Sequence, residues 1–492
     1  MDIKLEKLRH VRLKYTQPMY IVGGFIRDFF MGKESTKVDL FVKNDPEKIA
    51  LAYAAEIGGW VKAYLREGKR LEGIENISVS AAYRYDFYRV FDQDNQIVAN
   101  ISQMKYPTIE ECLKHRDFTI NAMAIEVFNL DILTKITVID PVQGLRDLED
   151  GIVRQVYKEA FLDNPLRMLK GIRYMAQLDF VMDQGTIGQI KENIDLLRNI
   201  PNEKYTYEIF EILKSKRAAH YLDFMERKFE MFQIVFPEII PAKTVGECKY
   251  HVVDVFTHSI HTLEKMEEML YTENYFEDHI EKAYRDHLKD EVGSKHGKYE
   301  LLKIAALFHD IGKPACRYVD ETGRTRFKGH EIAGAEIVTA IGQRLKLSNK
   351  EISYLSKVVE KHMIPLWVYQ QNDVSGKNLY DIFQTLDEIT LDVLIISLAD
   401  ITATRELLDP DENMLKFKVF FEYLADNYIT RYLEVKNISH VINGRDILQR
   451  YEVKDTEKIG QMLDEIKKAI YFGTIGRDAE EGLRYLKGLG ML

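Results

Sequence analysis

Only three cysteines, Cys112, Cys248 and Cys316, stand in 492 residues. Odd in number and far apart, they cannot build a disulfide framework or a CxxC zinc site, so a reducing cytoplasmic compartment is expected. Proline is scarce as well, 11 residues against 28 glycines, and no low-complexity tract is present, which excludes a proline-rich linker protein or a long disordered tail. No run approaches the roughly 18 apolar residues of a membrane span, and the opening stretch MDIKLEKLRHVRLKYTQPMYIVGG has no apolar h-region. Neither membrane insertion nor secretion is expected. Basic charge is not in excess either: 68 Lys and Arg face 78 Asp and Glu, a net charge of −10. That excludes a uniformly basic nucleic-acid coat, although a local basic stripe would still serve a polyanionic partner.

The composition that remains, 46% hydrophobic and 30% charged, is that of a globular chain with ample core. At roughly 100–200 residues per domain its length predicts two to four domains. The hydrophobic period changes near residue 150. Before it, short apolar runs at Met19–Val22, Val38–Val42, Ile77–Tyr83 and Ile120–Val127 alternate with helical or turn signals, as in a mixed α/β domain. After it, almost everything reads as helix. Pro165 opens one helix with an apolar stripe through Leu166, Leu169 and Ile172, and Ser348 with Glu351 makes a capping box before another. Breaks are predicted at Asn199–Asn202 and near Asp409–Asp411. The charged stretch Thr272–Lys298 reads as a solvated excursion, with His279, His287 and His296 as surface residues.

Two constellations carry chemistry. In the first, Gly23-Gly24-Phe25-Ile26-Arg27-Asp28 falls at a strand-to-helix turn whose backbone amides suit a phosphate, and Asp39 sits on the strand that follows. His115-Arg116-Asp117-Phe118-Thr119-Ile120-Asn121, then Asp140-Pro141 and Gly144–Leu148, supply further polar groups. On the Pro165 helix Asn164, Arg167, Lys170 and Arg173 recur every third residue, a basic stripe whose guanidinium groups fit base edges and phosphates. In the second, His258, His309-Asp310, His330, His362 and Asp400 each lie at the edge of an apolar helical segment. His258, His309, Asp310 and Asp400 can converge on one divalent ion, and His330 and His362 can complete a second site.

As a set, GGFIRD, the Asp39 strand, HRDFTINAMA, DPVQGLRDL and DNPLRMLKGIRY resemble the class II tRNA nucleotidyltransferases (CCA-adding enzymes) and bacterial poly(A) polymerases, and the stretch from Phe327 to Pro365 resembles their HD-bearing branch. The second constellation resembles the HD phosphohydrolases. The resemblance implies an α+β chain: a nucleotidyltransferase head at 1–152, a helical neck at 153–230, an HD body at 231–425 and an RNA-binding tail at 426–492. It implies CTP or ATP as donor, tRNA or another structured RNA as acceptor, and Mg²⁺ in the head. In the HD site it implies a transition metal or Mg²⁺, with Lys313 as a catalytic residue that partners the phosphate. Gly23, Gly24, Arg27, Asp28, Arg116, Asp117, Asn121, Asn164, Arg167, Lys170 and Arg173 are then the expected nucleotide-binding residues, and Asp39 the expected catalytic metal ligand.

Three positions depart from the family pattern. Lys37 stands where the first metal-binding aspartate is expected, the third acid expected near Val79 is missing, and Asn164 replaces the aspartate that reads the base. An ammonium repels Mg²⁺, and an asparagine amide presents either a donor or an acceptor to a base. Two alternatives therefore stand beside a working transferase: an HD phosphohydrolase, or a tRNA-binding protein, whose head is degenerate.

Overall fold

The computed structural model describes residues 3–35, 37–66, 74, 76–80, 86–128, 137–245, 253–293, 295–408, 414–436, 442–451 and 456–492. The predicted break near Asp409–Asp411 lies outside them. The chain divides into two compact units, Met1–Ile200 and Pro201–Leu492, so that the stretch expected to form the neck is shared between them.

The first unit is built on a seven-stranded sheet. Its strands are β1 (Met19–Val22), β2 (Val38–Val42), β3 (Trp60–Leu65), β4 (Asn76–Val79), β5 (Phe87–Phe91), β6 (Ile97–Gln103) and β7 (Ala124–Glu126), in the spatial order β4-β3-β5-β6-β2-β1-β7. β2 runs antiparallel to β1 and parallel to β6. Along β2, Val38, Leu40 and Val42 are buried while Asp39 and Phe41 lie on the other, partly open face, as the period of two requires. The helix Pro46–Ile57 covers the sheet through Ile49, Ala50 and Tyr53. Beyond the strands, the helix Leu166–Leu178 buries Met168, Leu169, Ile172 and Met175 and turns its cations the other way.

β4 is the edge strand, separated from β2 by β3, β5 and β6. Val79, the position matched to the missing third acid, is therefore not beside Asp39: it is half exposed at the far side of the sheet, and the β6 residue beside Asp39 is Asn100.

The second unit is helical, apart from the two-residue strands Tyr318–Val319 and Thr325–Arg326. The helix Val255–Tyr271 packs on Thr390–Leu408, and His330–Arg344 on Asn349–Lys361. Ser348 and Glu351 form the predicted capping box. The Thr272–Lys298 stretch is not a solvated excursion. Its helix Asp278–His287 buries Ile280 and Tyr284, His287 Nε2 lies 2.9 Å from the fully buried Asp392, and His296 stacks on Phe210 and meets the buried Glu351 at 2.9 Å. Its charge pattern hid these contacts because the carboxylates that hold the histidines come from helices about 55 and 105 residues further on. Of the three, His279 alone is well exposed, against Asp426.

Candidate active sites

In the head, β1 ends at Gly23, whose φ of 82° is left-handed and whose place leaves no room for a side chain. A Cβ there would come within 2.7 Å of an Arg116 guanidinium nitrogen and 3.7 Å of Asp39 Oδ2. The glycine thus lets Arg116 and Asp39 close on one backbone turn. Arg116 also lies over the Phe41 ring, at 5.6 Å. Arg27 is held from within the head: it donates to Asp28 Oδ1 at 2.7 and 2.9 Å and to Asn121 Oδ1 at 2.9 Å, and it caps the Tyr174 ring at 5.4 Å. Asp28 and Asn121 accordingly orient Arg27.

Across the sheet from Asp39 runs one row of polar side chains. Asn100 Nδ2 donates to Asp39 Oδ1 at 2.8 Å, and Arg89 Nε on β5 donates to Asn100 Oδ1 at 3.1 Å. The arginine fixes the amide with its oxygen toward itself and its NH₂ toward the aspartate. The sequence reading missed Asn100 and Arg89. A polar residue inside the apolar run Ile97–Gln103 was the only signal, and it appears only once the register is known.

The basic stripe of the Leu166–Leu178 helix is turned toward the head. Arg167 donates to the Tyr157 hydroxyl at 2.8 Å and to the His115 carbonyl at 3.2 Å, and Arg173 lies 4.6 Å from the Tyr174 ring centre. Burial raises the Asp117 carboxyl, but Lys170, Arg116 and Arg167 outweigh it and hold that carboxyl below its ordinary value. Asn164 ends the short helix Ala160–Asp163 in an extended conformation just before this stripe. The DPVQGLRDL motif is the support: Asp140 Oδ1 and Oδ2 accept from the amides of Gly144 and Leu145 at 2.7 and 3.0 Å, and Gly144 lies so close to the Thr119 carbonyl that a Cβ would overlap it.

Divalent magnesium wants hard oxygen ligands, carboxylates above all. The head offers Asp39 alone on its row, with one carboxylate oxygen taken by an amide donor, and places Lys37 two residues before it with no ion-pair partner among the described residues. That donor set does not fit a pair of Mg²⁺ ions.

The second unit gathers all six expected HD residues, none more than 8% exposed. His258 opens the helix Val255–Tyr271, His309 closes Lys298–Phe308, His330 opens its helix behind Gly329, His362 closes Asn349–Lys361, and Asp400 lies within Thr390–Leu408. They form two triplets, His258–His309–Asp400 and Asp310–His330–His362, each with ligand atoms within 4.8 Å of one another. Asp310 joins them: Oδ2 lies 3.5 and 3.2 Å from Nε2 of His258 and His309, Oδ1 lies 3.2 and 3.9 Å from Nε2 of His330 and His362. The grouping expected from sequence, with Asp310 in the first site only, becomes a bridge.

Nδ1 of His309, His330 and His362 lies 2.7–2.9 Å from the carbonyl three residues back in each case. That bond fixes the tautomer and leaves Nε2 as a buried lone pair without a hydrogen bond, aimed at the centre. Burial, with His309 and His330 nearby, takes the His362 imidazole down to about 3, and burial lowers that of His258 despite Asp400. Burial disfavours a charged His309, yet Asp310 and Asp400 outweigh it and raise its pKa. Asp310 is held well below the carboxylate range, because Lys313 and His309 overcome its burial. Orphaned imidazole nitrogens around ionised carboxylates are what a divalent cation completes, so this set fits a metal. Lys313, expected as a phosphate partner, has its ammonium buried against the Asp310 carboxylate. Asp254 caps the His258 helix by accepting from the Thr257 amide at 2.9 Å.

Among the described residues no helix is long and apolar enough to cross a membrane. Three family models match: the poly A polymerase head domain over residues 19–154, the probable RNA and SrmB-binding site of polymerase A over 179–243, and the HD domain over 255–405. The A-adding tRNA nucleotidyltransferase of Deinococcus radiodurans is 25% identical over 94% of this chain and 93% of its own. The CC-adding tRNA nucleotidyltransferase of Thermus thermophilus is 24% identical over 95% and 93%. A Thermotoga maritima CCA-adding enzyme solved in complex with tRNA shares the fold, with a TM-score of 0.62 at 18% identity over 99% of this chain and 95% of that one. With a poly(A)-polymerase head, an RNA-binding segment and an HD domain in that order, the chain is similar along nearly its whole length to tRNA nucleotidyltransferases.

Proposed function

We propose that this protein is a cytoplasmic RNA nucleotidyltransferase that adds nucleotides from CTP or ATP to the 3′ end of tRNA or a similarly structured RNA. The observation that carries the reading is the convergence within one unit of Gly23, Asp39 and Arg116 at the sheet end with the cations of the Leu166–Leu178 helix turned toward the head. In the transfer, the RNA 3′ hydroxyl oxygen bonds to the α-phosphorus, the α–β phosphoanhydride bond breaks, pyrophosphate leaves and the hydroxyl proton passes to solvent water. Arg27 and Arg116 bind and orient the triphosphate, Asn164 and Arg167 meet the base, and Asp39 orients the hydroxyl. The alternatives with a degenerate head gain no support from relatives that are transferases along nearly the whole chain. A ladder of tRNA substrates lacking three, two, one or none of the CCA nucleotides, each offered one nucleoside triphosphate at a time, tests it. Extension assigns CC, A, CCA or oligo(A) addition from the rungs used, and failure on every rung removes the reading.

The six-ligand HD set supports a second activity, hydrolysis of a phosphate ester. His258, His309, Asp310, Asp400, His330 and His362 would hold one or two divalent transition-metal ions or Mg²⁺, which supply Lewis acidity and an activated water. Lys313 keeps Asp310 ionised. Metal content of the purified protein and hydrolysis of bis(p-nitrophenyl) phosphate check this: the wild type carries stoichiometric metal and Asp310→Asn loses both. A protein without metal after loading with Mn²⁺, Ni²⁺, Zn²⁺ and Mg²⁺ contradicts it.

A further inference from the structure

The mismatch between the head's ligands and a pair of magnesium ions has a positive side. The antiparallel register of β1 and β2 pairs Val22 with Asp39. Lys37 stands just before β2, two residues ahead of Asp39, and the period of two sets it on the same side as Asp39, whose carboxylate closes with Arg116 on the Gly23 turn. Lys37 is exposed and has no ion-pair partner among the described residues. Along the Asp39 row the acid is followed by a neutral amide and then by the Arg89 cation. Asp28, close to the same turn, is already matched by Arg27. Lys37, Arg116 and Arg89 stand with Lys170 and Arg167 against the carboxylates of Asp39 and Asp117, so cations outnumber anions at this end of the sheet without any bound ion. A fixed ammonium beside a phosphate-binding turn supplies the charge that a metal otherwise brings, and it needs no carboxylate pair to hold it.

We propose that Lys37 is a triphosphate-binding residue, and that the head takes up ATP or CTP in their metal-free form. This rests on the nucleotide site assigned above and concerns binding, the step before transfer. In the metal-free nucleotide the β and γ phosphate oxygens carry up to three negative charges, and Lys37 and Arg116 would pair with them directly.

The test is equilibrium binding of ATP and CTP to the full-length protein by calorimetry, once in excess EDTA and once in Mg²⁺, with wild type, Lys37→Ala and Lys37→Asp. The wild type is expected to bind in EDTA within about threefold of its affinity in Mg²⁺. Lys37→Ala is expected to lose about tenfold in EDTA, the effect of one charge-assisted contact. Lys37→Asp is expected to bind only with Mg²⁺. Because Lys37 is exposed, circular dichroism and melting should show all three proteins folded. Wild-type binding that EDTA abolishes, or a Lys37→Ala protein indistinguishable from wild type, overturns the proposal and leaves the nucleotide site standing. No binding by any of the three under either condition removes the nucleotide site itself.

Discussion

At the scale of single residues, Gly23 and Asn164 matter for opposite reasons. Gly23 makes no contact of its own; it leaves space. With φ at 82° and a would-be Cβ 2.7 Å from Arg116, Gly23→Ala strains the turn and displaces the guanidinium. The expected outcome is a loss of about 1 kcal/mol of stability and a fall of about tenfold in nucleotide affinity. Thermal melting and calorimetry read the two separately. Asn164 is chemically ambivalent, since its amide serves a base edge as donor or acceptor, whereas a carboxylate only accepts and so rejects the carbonyl of U or G. Asn164→Asp is therefore expected to sharpen the preference for CTP and ATP over UTP and GTP by about tenfold, the scale of one discriminating hydrogen bond. Competition among the four labelled triphosphates on one RNA measures it, and an unchanged ratio would show that Asn164 does not meet the base.

At the scale of elements, the HD site depends on how closely one turn approaches one helix. A Cβ on Gly312 would lie 2.1 Å from the His330 carbonyl oxygen and 2.6 Å from the Gly334 amide. Gly312→Ala must push the His330–Arg344 helix away from Asp310. We expect a loss of about 1–3 kcal/mol together with bound metal, seen by melting and metal analysis. A second prediction concerns the connection that ends at Gly297. Burial holds the His296 imidazole below its ordinary value despite Glu351. Burial would raise the Glu351 carboxyl, but the Ser348 amide and His296 outweigh it and hold it low. Both groups bind more protons unfolded than folded. The stability they give is present at neutral pH and is lost on acidification, first as the pH falls below about 6.5 for the histidine, then below about 4.3 for the glutamate. Hydrogen exchange across 288–297, corrected for intrinsic rates, should speed up between pH 7 and pH 5 and respond less in His296→Gln.

The elements that could be read in advance were those whose signal is local. β1 and β2 lie where their apolar runs placed them, the capping box at Ser348 is made, and all six HD residues meet although they are spread over more than 140 positions. β3, β5 and β6 were not singled out, because their side chains alternate with polar residues and turn signals too weak to stand apart. Asn100 and Arg89 became visible only through strand order, which one sequence does not contain. The ion pair of Lys313 with Asp310 was not legible either, because a buried ammonium and an exposed one look alike until the carboxylate partner is placed.

At the scale of the whole molecule, two chemistries occupy separate units. The first needs a positive surface for a triphosphate and an RNA end, and supplies it by cations on the Leu166–Leu178 helix and around Gly23 within a chain of net charge −10. The second needs a buried set of neutral imidazoles and ionised carboxylates, and supplies it by bringing the ends of four helices together against a fifth. On the proposed reading, residues of the head meet a polyanion arriving from solvent, while those of the HD site form an enclosed set that a cation would complete. Nucleotide addition is the central claim. Its most direct test is incorporation of labelled CTP and ATP onto tRNA that lacks its CCA end, by wild type and Asp39→Asn side by side. The account predicts extension by the wild type and a fall of about a hundredfold or more in the variant; a wild type that extends no tRNA with either nucleotide, or a variant as active as wild type, would contradict it.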